Sequence, residues 1–224
     1  MEEHQVETQS DTFLAAEGDA WFLRNREYLE SSNNGGIDVD FICNSLFPFQ
    51  NSITNILEIG CASGKKLLSL VEYFKASGFG LDPSQMAINK AREANKEGTS
   101  RLNFEVGVAT SLPYRDDMFD LVFFGFCLYL IPPSETYKAI MEADRVLKHG
   151  GFIAILDFDY GSLRVNPYKH AEGVFSYKNN YSQIFLSSSY YSLVNKWSFS
   201  HSGEYFTHER DERISIEILY KELL

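Results

Sequence analysis

Gly60 and Gly64 bracket three small residues, Cys61, Ala62 and Ser63, directly behind the apolar run Asn55 to Ile59. A strand-to-helix turn built this way brings backbone close to a ligand, because little side-chain bulk intervenes. Asp82 ends a second apolar run, Gly78 to Leu81. A carboxylate at a strand end is placed to accept hydrogen bonds from both hydroxyls of a ribose. A helix cap is the plainer use of the same residue. The turn alone demands only a tight connection, but turn and carboxylate together point to a nucleoside. Phosphate cradles fit poorly. A dinucleotide fingerprint, G-x-G-x-x-G, is met here by Gly60, Ala62 and Lys65. A Walker loop fails because the glycine spacing before Lys65 is too short and Lys66 replaces the hydroxyl residue.

Groups able to move a proton stand further along. Tyr129 follows the apolar segment Phe119 to Phe124, Asp157 and Asp159 follow Gly151 to Leu156, and His170 lies beyond. Each also has a structural use: packing for Tyr129, a solvated strand end for the two aspartates, an exposed surface for His170. His4, His149, His170, His201 and His208 show no metal-ligand spacing and the three cysteines are scattered, so no metal is expected.

The elements that must position these residues follow from hydrophobic periodicity. Strands are expected over residues 55–59, 78–82, 103–107, 119–124 and 151–157, with helices over 65–75, 84–94 and 134–147 between them. The last of these helices is expected to close on His149-Gly150-Gly151 as cap and turn. This alternation gives a parallel sheet covered on both faces. Residues 1–12 read as frayed, 13–29 as an amphipathic helix, 31–36 as a loop, and 37–46 as a second helix. Residues 160–189 read as irregular, with one helix near 182–188. The segments 191–200 and 213–220 alternate apolar and polar residues, as an antiparallel edge pair does. The expected fold is α/β: a doubly wound, Rossmann-like seven-stranded sheet, mostly parallel, with an antiparallel C-terminal hairpin and a helical N-terminal cap.

At this point four segments, in order, carry a resemblance. Glu58 to Gly64 resembles motif I of class I S-adenosylmethionine-dependent methyltransferases, and Gly80-Leu81-Asp82-Pro83-Ser84 resembles motif II. Ser111-Leu112-Pro113-Tyr114 with Phe119-Asp120-Leu121-Val122 resembles the fourth-strand block. Arg145 to Gly151 resembles the turn into the fifth strand. The match runs from about Asn55 to Asp159 and is of the small-molecule type, similar to methyltransferase domains 11 and 25. It implies a cap or lid over residues 1–50 and a cofactor-binding domain over 51–224. Within that domain the core is 55–159, a substrate-side insertion 160–190 and the late strands 191–221.

The resemblance implies S-adenosylmethionine as cofactor and S-adenosylhomocysteine as product. It assigns the cofactor to Glu58, Gly60, Cys61, Ala62 and Gly64, then to Asp82, Pro83 and Met86. Val108, Ala109 and Thr110 would border adenine, with Phe124 and Phe126 behind the fourth strand. From the cap, Trp21 would face the sulfonium by a cation–π contact and Arg24 would meet the carboxylate, unless the helix merely docks Trp21 on the core. Two departures stand out: Ala62 replaces a glycine, which is tolerable at negative φ, and Val108 replaces a common acidic residue. The acceptor is expected above strands four and five, with Tyr129, His170 and Asp157 as candidate catalytic groups. The expected reaction is direct displacement onto a small polar metabolite such as a sugar or secondary metabolite. A non-catalytic cofactor-binding protein, an NAD(P)-dependent oxidoreductase and a protein methyltransferase are the alternatives.

Composition narrows the partners. A net charge of −11 argues against nucleic acid, which is bound mainly through clustered Lys and Arg. The longest apolar run, 121–133, is too short for a bilayer, and Met1-Glu2-Glu3-His4 is the reverse of a signal peptide. An odd cysteine count of three suits a reducing compartment. The expectation is a cytoplasmic monomer or homodimer with a small-molecule acceptor, no nucleic acid and no membrane.

Overall fold

The computed structural model describes residues 8–31, 36–96 and 101–223. Its organising element is β4 (Phe119–Gly125), an apolar run buried between two neighbours. Leu121 and Phe123 pack into the core on one face of the sheet, Val122 and Phe124 into the core on the other. β4 pairs in parallel with β1 (Asn55–Ile59) and β5 (Leu147–Phe158). β1 pairs in parallel with β2 (Ser77–Asp82), and β2 with β3 (Leu102–Val106). Strands buried on both faces need helices on both faces. α3 (Ile37–Leu46), α4 (Lys65–Phe74) and α5 (Gln85–Ala94) supply one layer. α6 (Pro133–Val146) and α7 (Ser182–Leu186) supply the other.

The C-terminal strands form the expected antiparallel pair at the edge of the sheet. β9 (Arg213–Lys221) lies inside the sheet, antiparallel to β5 and to the edge strand β8 (Tyr191–Ser200), giving the order β3-β2-β1-β4-β5-β9-β8. The polar positions on β9 are buried because they are paired. Glu217 accepts hydrogen bonds from Ser182 at 2.5 Å, Lys196 at 3.0 Å and Ser215 at 3.0 Å. The alternation therefore records an internal ion pair, not a wet face.

Other expectations shift. Residues 8–12 are ordered: α1 (Gln9–Thr12) starts at a capping box between Thr8 and Asp11. A π-helical turn (Phe13–Glu17) follows before α2 (Gly18–Ser31), and a Cβ at Gly18 would meet the Pro83 carbonyl carbon at 3.1 Å. Residues 1–7, and 32–35 of the expected loop, lie outside the described residues. α6 runs straight into β5 at an extended Leu147, which pairs with Phe119, so Gly150 turns within the strand rather than capping the helix. Residues 160–189 contain a hairpin, β6 (Arg164–Pro167) with β7 (Phe175–Lys178), too short and polar to announce itself. Among the described residues no helix is long and apolar enough to cross a membrane.

Two resembling motifs prove to be girders. Asp120 sits at the far end of β4 from the glycine turn. It accepts from Thr54 N–H and Oγ–H at 2.9 and 2.8 Å, from Asn55 N–H at 2.9 Å and from Lys148 at 2.6 Å. Arg145 donates to Glu142, Asp116 and the Tyr114 and Leu112 carbonyls, fastening the loop after β3 to α6. The Lys148 ammonium and the Thr54 and Asn55 donors hold the Asp120 carboxyl below its ordinary range despite burial. Asp120→Ala is expected to cost about 2–3 kcal/mol of stability at pH 7, since buried donors lose a charged partner. A depressed pKa contributes stability above the ordinary carboxylate range and loses it as pH falls through the folded value. Urea titrations should therefore show the gap between the two proteins narrowing below about pH 4.

Candidate active site

The glycine turn is pinned before it meets any ligand. Gly60 N–H and Cys61 N–H donate to the Leu81 carbonyl at 2.8 and 3.1 Å, drawing the turn against the end of β2. Ala62 N–H then donates to Asp82 Oδ2 at 2.8 Å, and Ser84 N–H to Asp82 Oδ1 at 2.9 Å. Reaching Asp82 places Ala62 at φ +45°, in the left-handed region that glycine prefers. The condition under which alanine is readily tolerated here, a negative φ, is thus not met. At Gly60, φ +77°, a Cβ would stand 2.8 Å from the Cys127 Cβ. Burial pushes the Asp82 carboxyl up to about 6, although both backbone donors act the other way.

Asp82 also anchors the N-terminal helices. Ser84 caps α5 by accepting from Ala87 N–H at 3.0 Å, and its hydroxyl donates to Asp19 of α2 at 2.7 Å. Asp19 accepts from Met86 N–H at 2.9 Å as well. α5 has no acidic residue in its first turn, so Asp19 supplies the negative charge its N-terminus favours. That bare first turn is the sequence signal that would have found Asp19.

A cleft opens above the strand ends, where ligands of open α/β sheets bind. Ile59, Gly60 and Gly125 form its floor. Leu81, Asp82, Pro83, Val108 and Ala109 line one side, while Phe13, Trp21, Phe126, Leu130 and Ile131 line the other. Of the residues expected to hold a cofactor, Gly60, Asp82, Pro83, Val108, Ala109, Phe126 and Trp21 therefore face one space.

The rest are placed elsewhere. Cys61 and Gly64 back onto Phe104, and Ala62 turns its N–H to Asp82. Phe124 is fully enclosed in the core, Thr110 is buried, and Met86 is exposed on α5. Arg24 is bound to Glu17 and to the Tyr168 hydroxyl at 3.0 Å. Glu58 is buried beneath Gly125 with Oε2 unpartnered, and burial pushes its carboxyl up to about 8 against the nearby Lys66.

The candidate proton-transfer groups do not converge. Asp157 accepts backbone hydrogen bonds from Tyr129 at 3.1 Å and Phe158 at 2.8 Å, and burial raises it to about 7. The Tyr129 ring packs 5.2 Å from Phe126, and burial beside Asp157 raises its phenol, so it keeps its proton. His170 is exposed, edge-on to Tyr168 at 5.3 Å. His201, not among the expected proton-transfer groups, instead reaches Phe126 at 5.4 Å from the end of β8.

A carboxylate aimed past a small-residue turn, at the strand ends of a sheet ordered 3-2-1-4-5, defines a nucleoside-binding α/β protein. Comparison with known proteins narrows this class. Residues 56–151 match the family model described as a methyltransferase domain. The chain is 35% identical over 121 residues to a probable methyltransferase, ltbC, of Aspergillus luteorubrus, covering 50% of this chain and 42% of that protein. It is 31% identical over 126 residues to ajmaline N-methyltransferase of Rauvolfia serpentina, covering 54% and 43%. The 1,6-didemethyltoxoflavin-N1-methyltransferase of Burkholderia thailandensis, solved with 1,6-didemethyltoxoflavin and S-adenosylhomocysteine, shares the fold. Its TM-score is 0.74 at 12% identity, over 95% of this chain and 88% of that one. Residues 56–151 thus match a methyltransferase domain within a fold shared with solved methyltransferases, and the chain spans less than half the length of these two curated relatives.

The strain at Ala62 gives a direct test of the turn. Ala62→Gly is expected to raise stability by about 1 kcal/mol, because glycine reaches left-handed φ without the Cβ clash. Thermal melting should show an upward shift with S-adenosylhomocysteine binding retained. A lowered melting temperature would refute the left-handed turn.

Proposed function

We propose that the chain transfers a methyl group from S-adenosylmethionine to a small-molecule acceptor held between its N-terminal helices and the turn after β4. The observation that carries this reading is the Asp82 carboxylate, half-buried, fixed by two N–H donors and lining a mainly apolar cleft. Its remaining lone pairs suit the two ribose hydroxyls. Pro83, Val108 and Ala109 offer apolar contact to adenine, and Gly60 and Gly125 leave backbone open to the methionine moiety. A Cβ at Gly125 would come within 3.0 Å of the Gly60 carbonyl, so both glycines keep that floor clear. Bound there, S-adenosylmethionine supplies an electrophilic methyl group on a sulfonium.

The protein's part is alignment, which contributes up to about 7–11 kcal/mol in favourable cases. Trp21, on the cleft wall, is the aromatic face for the positive sulfur. Arg24 is committed to Glu17 and Tyr168 and is left out of the cofactor set. Tyr129 keeps its proton and serves to orient rather than deprotonate, while Asp157 holds the turn that carries it. Two relatives named as N-methyltransferases, one solved with its ring-shaped substrate, support a ring metabolite over a saccharide.

Ribose recognition requires ionised Asp82, so affinity for S-adenosylhomocysteine should rise with pH through about 6 and level off above it. Asp82→Asn is expected to bind roughly 10- to 100-fold more weakly and to lose that pH dependence, as a charged hydrogen-bond partner is removed. Calorimetry between pH 5 and 8 checks both. Equal affinity in the two proteins would remove Asp82 from the site.

A further inference from the structure

The far end of the cleft has a chemistry of its own. Phe13, Trp21, Phe126, Leu130 and Ile131 line it together, with Ser10 beside them. Phe126 is held at φ +63°, costly for a bulky residue, and is braced by the rings of Tyr129, Phe158 and His201 at 5.2, 5.2 and 5.4 Å. Its position is thus over-determined, and it presents a fixed wall facing the lid.

Each polar group around this end is already engaged. Ser10 donates to Glu135 at 2.5 Å and Cys127 Sγ to the Ile59 carbonyl at 3.4 Å. Asp157 is occupied by backbone N–H groups. Burial keeps the Cys127 thiol and the Tyr129 phenol protonated. Among the described residues lining this compartment, no side chain is set to take a proton. A sugar hydroxyl would forfeit its hydrogen bonds to water here and still need a base. A flat ring suits the aromatic walls.

Resting on the methyl-transfer reading, we infer that this compartment takes a planar, largely apolar heteroaromatic compound whose acceptor is a ring nitrogen with a free lone pair at neutral pH. The nitrogen lone pair forms the new N–C bond as the C–S bond breaks and its electron pair returns to sulfur. The positive charge passes from sulfur to nitrogen, the thioether leaves neutral, and no proton moves in the step.

The test uses the protein saturated with S-adenosylhomocysteine, with isoquinoline, naphthalene and methyl glucoside as calorimetric probes. Both flat rings should bind and the glucoside should not. Ile131→Ser should weaken both rings about tenfold, for a partly lost apolar contact, with S-adenosylhomocysteine affinity unchanged. Glucoside binding without ring binding overturns the inference. With S-adenosylmethionine saturating at every pH, so that Asp82 ionisation does not limit the rate, two ring nitrogens of different basicity should lose activity on the acid side at each acceptor's own pKa. An acid limb that stays fixed across acceptors identifies a protein base and also overturns it. Rings that bind but gain no methyl group at any pH uphold the compartment and remove the methyl-transfer reading instead.

Discussion

Asp82 accepts Ala62 N–H from the turn after β1 and Ser84 N–H from the turn after β2, and so joins two crossovers through one carboxylate. Neither turn is shaped independently of it. Ala62 takes a left-handed conformation to reach it, and Ser84, once fixed, is free to cap α5 and to donate to Asp19. The N-terminal helices are in this way registered against the sheet by a relay of hydrogen bonds that starts at the ligand-facing oxygen. A change at that oxygen is felt at the roof of the cleft as well as at its wall.

The two ends of the sheet treat their carboxylates in opposite ways. At the strand starts, Asp120 is given an ammonium and three neutral donors, and its proton affinity falls. At the strand ends, Glu58 and Asp157 are buried and Asp82 half-buried, each with fewer partners, and their proton affinity rises. A folded chain keeps underpaired buried acids where a ligand or a turn makes use of them and pairs them fully where they only hold strands together. The contrast separates girder from site without reference to sequence motifs.

The α/β alternation was legible because its strands are apolar on both faces, a pattern that loops do not imitate. The Gly60 turn and Asp82 were legible for a related reason, since both sit at fixed points of that alternation. The roof was not. Gln9, Ser10, Phe13 and Asp19 act through contacts with residues more than sixty positions away, and nothing in local periodicity carries such pairings. β9 was legible as one of an antiparallel pair, but its polar positions were not: Ser215 and Glu217 are buried against Ser182 and Lys196, pairings that its own alternation does not carry. His170 and His201 could not be ranked without knowing that β8 returns its end to Phe126.

α1 is one helical turn with no buried residue. It is held by the Gln9 side-chain amide, which meets the Leu130 carbonyl and both backbone groups of Phe175, and by Ser10 on Glu135. At roughly 1 kcal/mol net for each such bond, undoing the turn costs about 4 kcal/mol, below the roughly 5–15 kcal/mol that holds an ordinary domain together. That turn can therefore unfold locally while the domain stays folded. Gln9 and Ser10 thereby tie the position of the cleft-lining Ser10 to Leu130 and Glu135, so a change at either is felt at the cleft before it is felt by the sheet.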